Sequence, residues 1–400
     1  MGSATMPRMR RHDLDWLRIG AFAALIGYHV GMLYVAWPFH VKSAYEGGPA
    51  LTALMLALNP WRLPLLFVIS GVATGFMLRG LPRAALLSRR VPRLQLPLLF
   101  GMFVVVVPQA YFELKAAQRY SGDFLAFWGQ YVRFTQGLGT PVPTWNHLWF
   151  VAYLLVYTVI VAAVAPRPPA IDAAPGVLRR AAMVALLLGP WLYLWVLRMT
   201  LFPVFGSNHA MVHDAYNHAL YMAMFVFGFA LVGRPALWQI IDHLRWPALV
   251  LAVLGAVVFI GLSLGAGQAL PPGEWQRWVG RAGREAQAWG AVLAALGFAQ
   301  RHLNHDHRWR AYWVEVVFAY YIVHQTALIA LAVWLKPLQL GGALEATCII
   351  LGTVLACGVT AEVARRVRWL RPLFGFRSVS PRVDAHQPAS ARTGPQGQPK

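Results

Sequence analysis

Ten stretches of about 20 residues, apolar almost throughout and separated by short polar or basic breaks, organise this chain. Twenty residues of α-helix rise about 30 Å, enough to cross the hydrocarbon core of a bilayer. The stretches run roughly over residues 14–37, 51–78, 94–112, 145–165, 178–204, 217–232, 246–267, 286–300, 312–335 and 342–364. The sixth and eighth are short and open to being tilted, broken or partly re-entrant. The pattern predicts an all-α fold, a polytopic membrane protein with about ten transmembrane helices.

Composition supports this picture. With 58% hydrophobic and 12% charged residues, the 400-residue chain is excluded from the ordinary soluble domains. A net charge of +20 raises nucleic acid as a partner, but the basic residues are scattered between apolar stretches. They form no basic face with interleaved aromatics, so no nucleic acid is expected and the lipid bilayer is the expected environment. With the N-terminus inside, 24 Lys and Arg fall in cytoplasmic segments and nine in outer ones. That bias explains the charge and puts both termini in the cytoplasm. Residues 1–12 then form a cytoplasmic N-terminal segment, 13–370 the membrane domain, and 371–400 a cytoplasmic, disordered tail. Cys348 and Cys357 both lie in the last stretch, so neither a disulfide framework nor a metal site is indicated. No tightly bound cofactor is expected either. The first stretch is no signal peptide: Asp13, Asp15 and Arg18 interrupt its approach and no Ala-x-Ala site follows. The outer connection from Glu113 to Thr144, rich in Tyr, Trp, Gln and Gly, either caps an external site or lies on the surface.

Ionisable groups inside an apolar layer are costly and therefore suggest function. Arg18 and His29 share a face of the first helix, three turns and about 16 Å apart, which sets Arg18 near the membrane surface and His29 near the midplane. An imidazole is a natural general base; its bland alternative is a helix-packing histidine. Arg18 alone would be read as snorkelling to headgroups, and Asp15, one turn earlier, could pair with it. Arg89-Arg90-Val-Pro-Arg93, ahead of an expected Pro-started helix, suits either phosphate clamping or anionic lipid. Ser70-Gly71 reads as tight helix packing. His147 and Trp149 open the fourth stretch at the outer interface, where Trp anchoring is ordinary but a His near an acceptor is also reasonable. Glu315 and His324 interrupt the ninth. The group His302, His305 and His307 reads as a solvated loop, and Gly-x-Ser-x-Gly, P-loop and dinucleotide signatures are absent.

Taken together, these residues resemble a known family. Arg18, ten residues, then His29 resembles the Arg-x10-His signature of the acyltransferase 3 membrane proteins, and Arg90-Val-Pro-Arg93 resembles their Arg-x-x-Arg motif. Phe67-Val-Ile-Ser70-Gly71, His147-Leu-Trp149 and Tyr320-Tyr-Ile-Val-His324-Gln325 follow in the expected order, so the resemblance covers about residues 12 to 370. Asp15-Trp-Leu-Arg18, Tyr28-His29-Val-Gly-Met and Asn59-Pro-Trp-Arg62 look closest to the glucans biosynthesis protein C group, a branch associated with succinylation of periplasmic glucans. The chain departs from the wider family where many O-acetyltransferases carry Trp-Ser-Leu-x-x-Glu-Glu: it has Trp149-Phe-Val-Ala-Tyr-Leu-Leu155, without the carboxylates.

The resemblance implies a multi-pass enzyme of a bacterial inner membrane. It would move an acetyl or succinyl group from cytoplasmic acyl-CoA to a hydroxyl of an extracytoplasmic glycan. His29 would be catalytic; Arg18, Arg90 and Arg93 would hold acyl-CoA; Asp15, Ser70, His147, Trp149, Glu315 and His324 would support substrate or site. A homo-oligomer is compatible with these features. The rival expectation is a transporter or exporter of a carbohydrate or lipid-linked intermediate, with Arg18 and His29 as its substrate or proton pathway. Absence of an internal repeat weakens that rival.

Overall fold

Apolar stretches become helices wherever their backbone groups can be satisfied within the segment, and breaks fall where a proline or a charged turn intervenes. A computed structural model describes residues 11–166, 176–265 and 273–376. Helix α1 is His12–Gly31 and is followed by α2 (Gly48–Leu58) and α3 (Arg62–Gly80). Pro60 separates the last two, and the carbonyls freed at the end of α2 find new donors. The Gln287 amide donates to Ala57 O at 2.7 Å and Leu56 O at 3.3 Å, and the Trp61 indole to Ala57 O at 2.9 Å.

Helix α4 (Arg83–Phe100) passes through a π-turn at Gly101–Val105 into α5 (Val107–Ala116). It begins ten residues before the arginine motif ends, so the expected Pro-started helix is corrected: Pro82 is the N-cap and Pro92 lies inside. A proline forfeits one ladder bond, and here Leu86, Leu94, Pro97 and Leu98 bury enough surface to carry the helix past it. Arg89, Arg90 and Arg93 are therefore helical residues projecting from α4.

The connection from Glu113 to Thr144 folds on itself. Its helix α6 (Phe124–Val132), capped by Asp123 accepting from Ala126 N at 2.9 Å, buries Phe127 and Tyr131 against Val107, Ala110 and Leu114 of α5. The Tyr131 hydroxyl sits 3.0 Å from both Met102 O and Thr144 O and accepts from Thr144 N at 2.9 Å. That bonding fixes the chain just before a 3-10 turn, Asn146–Leu148, and helix α7 (Trp149–Val164).

Next come α8 (Gly176–Thr200), the single turn α9 (Phe202–Phe205), α10 (Ala215–Ala230), α11 (Pro235–Leu264), α12 (Glu274–His302), α13 (Arg310–Leu335) and α14 (Gly342–Arg366). Among the described residues there is no strand. Among the described residues, seven helical segments are long and apolar enough to span a membrane: Gly48–Gly80, Arg83–Ala116, Asn146–Val164, Arg179–Thr200, Pro235–Leu264, Arg310–Leu338 and Gly342–Arg366. The other three expected stretches are helical but fail that standard. α1 carries Asp13, Asp15 and Arg18; α10 has only 16 residues; α12 carries Arg277, Arg281, Arg284 and Glu285. α12 is also not the short segment expected, because its charged first half hid the helix from an apolar reading.

Helices approach closely through small residues, as packing without a hydrophobic driving force requires. At the crossing of α3 and α10, a side chain on Gly71 would meet the Phe225 carbonyl, and one on Gly228 the Val68 carbonyl. The packing expectation for Ser70-Gly71 is met here. On the α11–α12 pair, a Cβ at Gly290 would lie 2.6 Å from Ala248 O, and one at Gly297 2.8 Å from Ile241 O.

The tail does not begin as expected. Residues Arg371–Phe374 form a 3-10 turn, and Phe374 and Phe376 are buried in the main core. Two phenylalanines give this segment the apolar anchor that the polar residues beyond it lack. The rest of the predicted disordered tail, 377–400, and residues 1–10 of the N-terminal segment lie outside the described residues. Gly71→Ala or Gly228→Ala should lower the melting temperature of the detergent-purified protein, corresponding to about 1–3 kcal/mol of overpacking. Gly189→Ala, where the added methyl meets open space, should leave the melt unchanged.

Candidate active site

Three histidines meet, from α1, from α13 and from the turn before α7. His29 of α1 has Nδ1 2.7 Å from Nε2 of His324 of α13, their rings stacked 5.0 Å apart. His324 Nδ1 lies 2.7 Å from the Tyr321 carbonyl, and His147 Nε2 3.0 Å from the Ile322 carbonyl. The Tyr321 hydroxyl in turn donates to the His147 carbonyl, so the turn before α7 and helix α13 hold each other.

These contacts set the tautomers. A carbonyl only accepts, so His324 carries its proton on Nδ1 and presents Nε2 as an acceptor. His29 then donates through Nδ1, and its Nε2 keeps a lone pair with no hydrogen-bond partner among the described residues. Both His29 and His147 line a cavity of about 470 Å³.

A second layer supports the histidines. Gln109 donates to Thr326 Oγ1 at 2.7 Å and faces His147 Nδ1 at 3.4 Å, while its oxygen accepts from Asn146 at 3.0 Å and Gln325 at 3.1 Å. Gln325 also donates to His40 Nε2 at 2.9 Å, and His40 Nδ1 lies 2.5 Å from Glu113. Sequence reasoning missed His40, Gln109 and Asn146. Gln109 was the one to find, being a polar residue inside an apolar stretch.

The opposite wall of the cavity is basic. Arg198 Nε and Arg284 Nη1 reach the same oxygen of Glu285, at 3.0 and 2.5 Å. Arg284 also approaches Asn59 at 3.5 Å, whose amide donates to the Tyr28 hydroxyl at 2.6 Å, and the Arg62 guanidinium lies over the Tyr28 ring at 3.3 Å. Trp149 stands beside His147 in the lining and stacks on His209 at 3.9 Å. Of these, Arg62 entered the sequence reading only within the Asn59-Pro-Trp-Arg62 motif, and Arg198, Arg284 and Glu285 were not singled out.

The three arginines expected to act together are brought together at the other end of α1. Arg90 donates to Ser70 O at 3.5 Å and faces Met77 sulfur at 3.4 Å, with the charges of Arg93 and Arg18 bearing on it. Arg18 donates to Val314 O at 3.1 Å and Arg93 to Gly375 O at 3.1 Å. Ser70 thus contributes its carbonyl to this group. Asp15 holds Arg310 at 2.6 Å; Arg310 also bonds Asp306 at 2.8 Å and holds that loop carboxyl down at about 2. Glu315 lies near Arg365 and Arg371, at 3.8 and 3.7 Å, in an ion cluster nine residues and about 13 Å along α13 from His324. The structure therefore separates Glu315 from the histidines.

A family model described as an acyltransferase domain matches residues 11–362, most of the chain. The chain belongs to the acyltransferase 3 family. It is similar to glucans biosynthesis protein C of Escherichia coli strain K12 and of Escherichia coli O157:H7. Each is 23% identical, over 96% of this chain and 99% of the relative. No solved structure matches. Apolar helices and family together make this a multi-pass membrane acyltransferase.

In this acyltransferase Glu285 is fully buried and serves two guanidiniums. Glu285→Gln should cost about 3–5 kcal/mol by leaving both without their carboxylate. The check is loss of the monodisperse peak, or a fall in melting temperature, for the purified variant.

Proposed function

We propose that this membrane acyltransferase uses His29 as the general base that moves an acyl group from acyl-CoA to a hydroxyl of a glycan. One observation carries the reading: His29 lines the cavity with one ring nitrogen committed to His324 and the other without a partner. An acceptor hydroxyl gives its proton to His29 Nε2 as its oxygen attacks the thioester carbonyl carbon. The new C–O bond forms, the C–S bond breaks, and the leaving thiolate takes the proton back from the imidazolium. His324 is the positioning residue. Its Nε2 accepts from His29 Nδ1 and steadies the positive charge while the proton is held. Gln109, His147 and the residues around them keep the pair in register.

Acyl-CoA is a substrate here, entering from the side of Arg18, Arg90 and Arg93, whose guanidiniums match its phosphates. Its pantetheine arm then has to follow α1 for the roughly 16 Å between Arg18 and His29. The name of the Escherichia coli relatives makes a glucan the first acceptor to try, with acetyl or succinyl as the group moved. The same directionality, donor from a cytoplasmic arginine cluster and acceptor from outside, fits an inner-membrane location.

Purified protein with labelled acyl-CoA and a β-glucan oligosaccharide should yield acylated glucan, and His29→Ala should cut the rate by about 10²–10⁴-fold while the protein stays folded. Full transfer by that variant would overturn the assignment, and solute movement without thioester consumption would favour a transporter. Arg90→Ala with Arg93→Ala should raise the KM for acyl-CoA about tenfold or more, with a smaller effect on kcat. An unchanged KM would return these arginines to lipid binding.

A further inference from the structure

We infer that the cavity beside His29 contains an anion subsite, bordered by Arg62, Arg198 and Arg284, that takes a carboxylate carried by one of the two reactants. The identity of those reactants rests on the reading above; the charge argument does not.

Three guanidiniums line this one cavity, and Arg198 and Arg284 share a single oxygen of a single carboxylate. The second oxygen of Glu285 makes no hydrogen bond. Asp214, the other buried acid nearby, is engaged by the Tyr153 hydroxyl and the Asn217 amide. Even with Asp214 counted as an anion, three cations against two carboxylates leave a surplus. Arg62 bears most of it: it is 4% exposed, its Nε and Nη1 have no hydrogen-bond partner, and the face of Tyr28 lies beneath it. An aromatic face supplies only a small part of what a guanidinium loses on leaving water. A structural ion pair would need one arginine per carboxylate. The arrangement here is balanced when a bound group brings negative charge into the cavity.

Two sources offer the same chemistry. The carboxylate can stand at the far end of the acyl group, as in a dicarboxylic half-thioester, or on the acceptor sugar. Both put it on the cavity wall facing His29.

The test uses the full-length protein in detergent or nanodiscs. Acetyl-CoA and succinyl-CoA serve as donors, and a neutral β-glucan oligosaccharide and a glucuronate-containing one as acceptors. The wild type should prefer the anionic member of one pair, and Arg62→Gln should shrink that kcat/KM ratio by about 30-fold or more. Arg62→Lys should restore part of it. Preference within the donor pair puts the carboxylate on the acyl group; preference within the acceptor pair puts it on the sugar. No preference in either pair overturns the subsite, and so does a ratio left unmoved while all rates fall in step.

A binding measurement keeps the subsite testable apart from the reaction. Succinate or glucuronate should raise the melting temperature of the wild type where succinamide and glucose do not, and no difference between acid and neutral partner overturns it. If no donor and acceptor pair gives transfer, the acyltransfer reading of this cavity fails while the melt still decides the subsite.

Discussion

A polar group inside an apolar layer keeps the partner the fold assigns it, because no water is at hand to exchange. The bond from His29 Nδ1 to His324 Nε2 is of this kind, and its direction is inherited from the Tyr321 carbonyl behind it. Reverse that carbonyl's role and His29 would present an N–H to the cavity instead of a lone pair. The surrounding architecture follows from holding this one direction. α13 supplies the carbonyl, α1 the histidine that faces the cavity, and the turn before α7 locks onto α13 by exchanging bonds between His147 and the Tyr321–Ile322 segment. Even the Glu113–Thr144 connection takes part, since Tyr131 fixes Thr144 two residues ahead of Asn146.

The helices that hold these polar groups are of two kinds. Among the described residues, seven segments are long and apolar enough to cross a membrane, and α1, α10 and α12 are not. The cavity draws polar residues from both: His29 from α1, Asn217 and Tyr221 from α10 and Arg284 from α12, but also Arg62 from α3, Arg198 from α8 and His147 from the turn before α7. α1, α10 and α12 are lined by apolar neighbours, and close approach is secured where glycine removes the side chain, as at Gly71 against α10 and Gly290 against α11. The site's charged and hydrogen-bonding groups need partners that lipid cannot offer, and apolar spans as well as polar ones supply them.

This explains which features could be read from sequence. Arg18 and His29 were legible as a pair because eleven residues of helix fix their relation locally, and the arginine cluster because its members are close in sequence. Glu315 looked comparable to His324, yet its partners Arg365 and Arg371 come from a segment some 50 residues on, which no local pattern reveals. The basic wall was hidden for the same reason: Arg284 approaches Asn59 across 225 positions, and Arg198 reaches Glu285 across 87. Pro92 misplaced a helix start because proline's cost is small beside the burial of the helix around it. The family signature placed His29 and His324 in order without saying that they touch.

The two walls of the cavity also constrain each other. When a hydroxyl proton reaches His29, a positive charge appears in a space already bordered by three guanidiniums and one engaged carboxylate. Coulomb repulsion among such groups is strong where the dielectric is low. A carboxylate seated by Arg62 offsets that repulsion at the moment the imidazolium forms, so a reactant carrying one would aid proton transfer as well as binding. Substrate selection and general-base catalysis would then draw on the same charge. A reactant without it would lose rate even when it fits, because Glu285, the carboxylate at this wall, is already shared by Arg198 and Arg284.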